Sequence, residues 1–155
     1  QPQAGVLPWL SIRIRIEQAT PLRAAVQTRD GLWHVGSALI DAAGGGCTAP
    51  CVVRTDPGWE ERLGLVLGGR YPRGDFNRLR VQVSHPMDNG LVSGIPEFFI
   101  NHAELRAEDG RLLANLELFP AVSENPNLAF DIEGAGQTQL LLRDNSGNQF
   151  TAAIP

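Results

Sequence analysis

Two thiols, Cys47 and Cys51, stand four residues apart in Ala42-Ala43-Gly44-Gly45-Gly46-Cys47-Thr48-Ala49-Pro50-Cys51. Gly44, Gly45 and Gly46 free the backbone and give Cys47 no side-chain shelter, so the spacing predicts an exposed thiol on a flexible arm. Free cysteine is among the most buried residue types, which makes such a setting unusual. An enzyme nucleophile calls for a rigid, electropositive pocket with a histidine at hand. The nearest arginine, Arg54, lies seven residues on. A tethered thiol handled by other proteins fits better, against the plainer reading of a loop cysteine. Cys51 is a second thiol. Ala49 precedes Pro50 and is biased toward extended backbone, and four extended residues span ~13 Å, well beyond the ~7 Å that a disulfide bridges. A Cys47–Cys51 bridge therefore needs a turn, which Pro50 permits. One Cys-x3-Cys without matching histidines is a poor zinc signal.

The remaining polar residues are weaker candidates. His102-Ala103-Glu104 copies the H-x-E of zinc deaminases, but the downstream P-C-x-x-C is absent and the match reads as chance. His85, in Ser84-His85-Pro86-Met87 at a strand end, reads as a structural hydrogen-bonder rather than an acid–base group. His34 follows Trp33 on a strand, where a surface or packing role is the default. All thirteen basic residues are arginine. Without lysine, Schiff-base catalysis, a Walker P-loop at Gly68-Gly69-Arg70 and a Ser-Lys dyad are excluded. A net charge of -4 argues against binding nucleic acid by phosphate neutralisation. No apolar run approaches the ~18 residues of a membrane span. The first residue is Gln1 and no signal-peptide core is visible, so an export signal is expected to have been removed already.

The elements that must position these thiols are strands. With 43% apolar residues, a packed core is feasible. Residues 9–17 alternate apolar and polar, with Leu10, Ile12, Ile14 and Ile16 on one face. Residues 22–28 and 32–41 flank Arg29-Asp30-Gly31, and residues 98–108 and 111–118 flank Asp109-Gly110; both are hairpin signals. Residues 79–83, 127–133, 137–143 and 148–154 complete the pattern. The stretch 52–75 reads as a linker with a short helix begun at Asp56-Pro57-Gly58 and ended by Gly68-Gly69. Short strands with Gly and Asn turns predict an all-β, immunoglobulin-like antiparallel sandwich over residues 76–155. Residues 1–51 supply too few strands for a core of their own. They must pack on the second part, on another copy in a homodimer, or on a partner chain.

From Phe76 to Pro155 the sequence resembles SoxZ, a subunit of the SoxYZ sulfur carrier of thiosulfate oxidation. The resemblance rests on residues 80–91 (Arg-Val-Gln-Val-Ser-His-Pro-Met-Asp-Asn-Gly-Leu), on residues 95–100 (Ile-Pro-Glu-Phe-Phe-Ile), on Ala121-Val122-Ser123-Glu124-Asn125-Pro126 and on Asp144-Asn145-Ser146-Gly147. Residues 9–47 resemble the last strands and carboxyl-terminal arm of SoxY, whose glycine-flanked cysteine carries sulfur intermediates covalently; Gly45-Gly46-Cys47 matches that position. The order within one chain is similar to the fused SoxYZ-like carriers associated with quinoprotein dehydrogenases.

The resemblance implies a periplasmic, non-enzymatic carrier. Cys47 would bear the cargo, Gly44, Gly45 and Gly46 would form its arm, and His85, Met87 and Asn89 would contribute a docking loop. Its partners would be sulfur-oxidation or quinoprotein dehydrogenase-type enzymes, with no cofactor beyond the covalent adduct. The sequence departs from the SoxY pattern in three ways. Cys47 is internal, the first half of a SoxY domain is missing from the match, and Cys51 has no counterpart. The competing reading is a β-sandwich interaction module whose cysteines form a structural or redox-switch disulfide.

Overall fold

The computed structural model describes residues 2–42, 51–134 and 136–155. Among them are ten strands: β1 (Val6–Ile12), β2 (Thr20–Gln27), β3 (Trp33–Ile40), β4 (Val66–Arg73), β5 (Phe76–Val83), β6 (Ile100–Ala107), β7 (Leu112–Glu117), β8 (Asn127–Ile132), β9 (Thr138–Asp144) and β10 (Gln149–Ile154). Two four-stranded antiparallel sheets, ordered β1-β8-β5-β4 and β10-β9-β6-β7, face one another as an immunoglobulin-like sandwich. The period-2 alternation of β5 explains its place. Leu79, Val81 and Val83 point inward and are buried, while Arg80 and Gln82 point to solvent. Leu128, Phe130 and Ile132 from β8 meet Leu105, Leu140, Leu142 and Ile154 across the core. Each such side chain contributes roughly 1.5–3 kcal/mol on burial.

The stretch 52–75 differs from its expected form. It carries short helical turns, the two 3-10 turns Val52–Thr55 and Glu60–Arg62, but its second half is the full strand β4 rather than linker. Gly68 and Gly69 are mid-strand and do not end a helix. A Cβ on Gly68 would stand 2.8 Å from Ile154 Cδ1 and 3.0 Å from Val81 Cγ1, so glycine is what lets β4 lie this close to β10.

The first part of the chain divides between two fates. β1 joins the larger domain as an edge strand, pairing Leu10 with Phe130 and Ile12 with Leu128. Past it the chain stays attached, with Arg15 N–H donating to the Ala121 carbonyl at 2.7 Å and Ser123 N–H to the Arg13 carbonyl at 3.0 Å. β2 and β3 instead form a two-stranded sheet of their own. Its turn is the expected Asp30-Gly31, with Gly31 at φ 86° and its N–H bonded to Thr28 O at 2.9 Å. Leu22, Val26, Trp33, Val35 and Leu39 all remain exposed on this hairpin. Among the described residues, no helix is long and apolar enough to cross a membrane.

Candidate functional site

The predicted carrier thiol Cys47 and its glycines Gly44, Gly45 and Gly46 lie outside the described residues. Both anchors of that segment are described. On one side β3 ends at Ile40; on the other, Cys51 opens the first 3-10 turn. Cys51 is a free thiol, 8% exposed. Burial first, and then the nearby negative charges of Asp88 and Glu124, push its pKa up to about 11. A hydrogen bond to the Asp88 carboxylate holds the proton on sulfur.

The turn that begins at Cys51 is bolted to the sandwich. The Arg54 guanidinium meets Asp88 Oδ2 at 2.6 Å from Nη2 and 2.8 Å from Nε, and lies over the Trp59 ring at 4.8 Å from its centroid. Val53 N–H donates to Glu124 Oε2 at 3.2 Å. Asp88 is itself buried and exchanges backbone hydrogen bonds with Phe98, at 2.8 and 3.2 Å. A buried carboxylate needs such a partner, because an unpaired charge there costs several kcal/mol.

His85 sits at the centre of this region, fully buried. Its Nδ1 accepts the Met87 N–H at 3.1 Å, which assigns the ring proton to Nε2. Nε2 stands 3.7 Å from Asp144 Oδ2, too far for a hydrogen bond. Asp144 spends its carboxylate on its own turn, accepting from Ser146 N at 2.9 Å, Asn148 N at 2.9 Å and Asn148 Nδ2 at 2.7 Å. Burial dominates the imidazole and pushes its pKa down to about 4, against the opposing pull of Asp144 and Asp88. The ring is neutral at pH 7, packed at 4.5 Å from the Phe98 ring. It is the structural group the sequence suggested.

Three separated stretches converge on it. Asn125 donates its N–H to the His85 carbonyl at 2.9 Å and accepts the His85 N–H on Oδ1 at 3.1 Å. Asn145 accepts the Phe99 N–H on Oδ1 and donates from Nδ2 to Glu97 O, each at 3.0 Å. Met87, at φ 53° and fully buried, accepts the Ile100 N–H on sulfur at 3.3 Å. The positive φ of a non-glycine residue is held by these contacts. Of the three residues expected to form a docking loop, only Asn89 is partly exposed. His85 and Met87 brace the loop from within, because their side chains pack where a partner has no access.

One residue of the site was not singled out in the sequence. Arg15, from the chain just past β1, points its guanidinium into the same loop. Nη1 donates to Met87 O at 2.5 Å and to Pro120 O and Val122 O at 3.3 Å, while Nη2 donates to Pro86 O at 3.3 Å. Four main-chain carbonyls are thus satisfied by one cation, a role that alternation along residues 9–17 hides by placing Arg15 on the solvent face. His102 Nε2 lies 3.3 Å from Glu104 Oε1, and Glu104 also pairs with Arg106 at 2.6 Å. Among the described residues, no three of His, Cys, Asp and Glu gather as a metal site.

The family model described as sulphur oxidation protein SoxZ matches residues 69–155, and that of sulfur oxidation protein SoxY matches residues 1–47. Comparison with the curated proteins returns no match. Among solved structures, a hypothetical protein from Pyrococcus horikoshii OT3 aligns over 57% of this chain and 83% of its own, at 18% identity and a TM-score of 0.39. The carbonyl clamp of Arg15 and the pairing of β1 with β8 join the two matched segments, while the contacts among His85, Asn125 and Asp144 lie within the second. The chain belongs to the SoxZ family, with a SoxY-like segment fused ahead of its SoxZ-like domain.

Proposed function

We propose that this protein is a sulfur-compound carrier of the periplasm, in which Cys47 binds an intermediate covalently and presents it to partner enzymes. The observation that carries the reading is the unequal treatment of the two cysteines. Cys51 is buried and held protonated at neutral pH. Cys47 follows three glycines and closes the segment matched by the SoxY model. Under this reading Cys51 anchors and Cys47 carries. The sandwich is scaffold and docking surface, the protein performs no catalysis, and Asn89 stands at the exposed end of the loop beside the anchor. Domain roles follow the same division: residues 1–51 hold the arm, 52–75 connect it, and 76–155 form the SoxZ-like body. Partners would be sulfur-oxidation enzymes or quinoprotein dehydrogenases.

The chemistry needs only a thiolate. Attack on a polysulfide sulfur forms a protein persulfide and expels a shorter polysulfide. Attack on an inner sulfur of tetrathionate forms the S-thiosulfonate and expels thiosulfate; neither exchange needs an added oxidant. Intact-mass spectra after incubation with polysulfide or tetrathionate should show one adduct on the native chain and on Cys51→Ser, and none on Cys47→Ser. Equal adducts on native protein and Cys47→Ser would remove Cys47 from the role.

A further inference from the structure

The outer face of the β1-β8-β5-β4 sheet is not an ordinary solvated surface. Its registers set Ser11 beside Ala129, Ala129 beside Arg80, and Arg80 beside Gly69. Small residues at three of these four positions leave a trough of about 520 Å³ that runs across the strands. Trp9 and Tyr71 rise along one side, and Gln82 and Asn127 add amide groups on the other. The Arg78 guanidinium covers the Trp9 ring at 3.7 Å from its centroid and binds Asp131 with two hydrogen bonds, of 2.8 and 2.9 Å. That wall is therefore rigid and electrically spent.

The trough itself carries two further cations, Arg13 and Arg80, and no acid among its lining residues. Neither makes an ion pair with any described residue, and Arg80 rests 5.6 Å from the centroid of the Tyr71 ring. Two uncompensated positive charges share one groove on a chain whose net charge is -4. Arg13 and Arg80 lie two strands and one pleat row apart, about 12 Å from the spacings of a sheet. Carboxylates four residues apart on an extended chain are separated by about 13 Å, a match in charge and in distance.

We propose that this face is a docking trough for an extended acidic segment of a partner protein, gripped by Arg13 and Arg80. The length and openness of the trough favour a chain over a single small anion, whose charge two well-separated guanidinium groups would share poorly. The overall acidity disfavours nucleic acid. The proposal is independent of any role for Cys47.

Titration of the full chain with a synthetic hexapeptide alternating Glu and Ser, followed by NMR shifts of amides in 67–71 and 80–82, tests it. The expected result is saturable binding, weakened about 5- to 10-fold by Arg80→Gln and by Arg13→Gln. Arg23→Gln, on the exposed hairpin, should leave it unchanged. Affinity should fall with added salt. The proposal is overturned if the Gln-for-Glu peptide binds as well, or if the double Arg13→Gln/Arg80→Gln variant keeps the affinity. It is equally overturned if sodium sulfate or a short single-stranded DNA shifts these amides more strongly than the peptide does. Arg13 is exposed and beyond the end of β1, so its variant keeps the fold even if Arg80→Gln does not.

Discussion

Cys51 and His85 lie within one buried region, and burial acts on them in opposite directions on the pKa scale. A thiol is neutral when protonated and an imidazole when deprotonated, so the same low-polarity surroundings raise one and lower the other. For Cys51 the shift is from 9.0 to about 11. Two pH units remove about 99% of the thiolate that an unshifted thiol would have at neutral pH. In the Cys47→Ser protein, alkylation of Cys51 by iodoacetamide at pH 7.5 should therefore run about 100-fold slower in the folded state than in urea. Comparable rates in the two states would show that the thiol is neither buried nor bound to Asp88.

Arg15 shows what an element boundary does to a side chain. Had β1 continued to residue 17, as its alternation predicts, Arg15 would face water. The strand ends at Ile12, the chain crosses to Val122 by a single bridge at Ile14, and the guanidinium turns inward to its four carbonyls. Arg15→Met keeps the aliphatic length and removes every donor. It should cost roughly 2–4 kcal/mol in urea denaturation, whereas Arg23→Met on the hairpin should cost less than about 0.5 kcal/mol. A small effect at Arg15 would mean that the fused segment does not depend on this clamp.

Most strands were legible, because a period-2 pattern meets a turn of known chemistry; β5 and the Asp30-Gly31 hairpin are the plainest, whereas the alternation puts β1 three residues late at its start and five too long at its end. β4 was not, because Gly68-Gly69 carries the local signal of an element's end while serving a contact with Ile154 that is 86 residues away in the chain. The SoxZ-like motifs could be read as motifs, but not as a knot. Only the folded chain brings His85, Asn125 and Asp144 together, and no local pattern announces that His85 and Asp144 are both buried.

At the scale of the molecule, that buried imidazole makes stability depend on pH. The unfolded chain takes up a proton near pH 6.5, while the folded one resists until about pH 4. Between those values the unfolded state binds more protons, so stability falls as pH falls. The loss over the window is roughly 3 kcal/mol. Urea midpoints at intervals from pH 7 to pH 4.5 should decline steadily, and the slope should be largely absent in His85→Gln, whatever that variant's stability at pH 7. Asp131 and Glu104, whose pKa values lie below the ordinary carboxylate range because of Arg78 and Arg106, contribute their own loss only at lower pH. An unchanged slope in His85→Gln would assign the acid sensitivity elsewhere.

The fixed position of Cys51 also sets a leash. Four residues of chain span at most about 14 Å, so the Cα of Cys47 is confined to a sphere of that radius around a point in the sandwich wall. Under the proposed carrier role, any enzyme that works on a cargo held by Cys47 must bring its catalytic centre to this shore of the protein. The recognition surfaces on both partners are thereby limited to those that bring the two within one short tether.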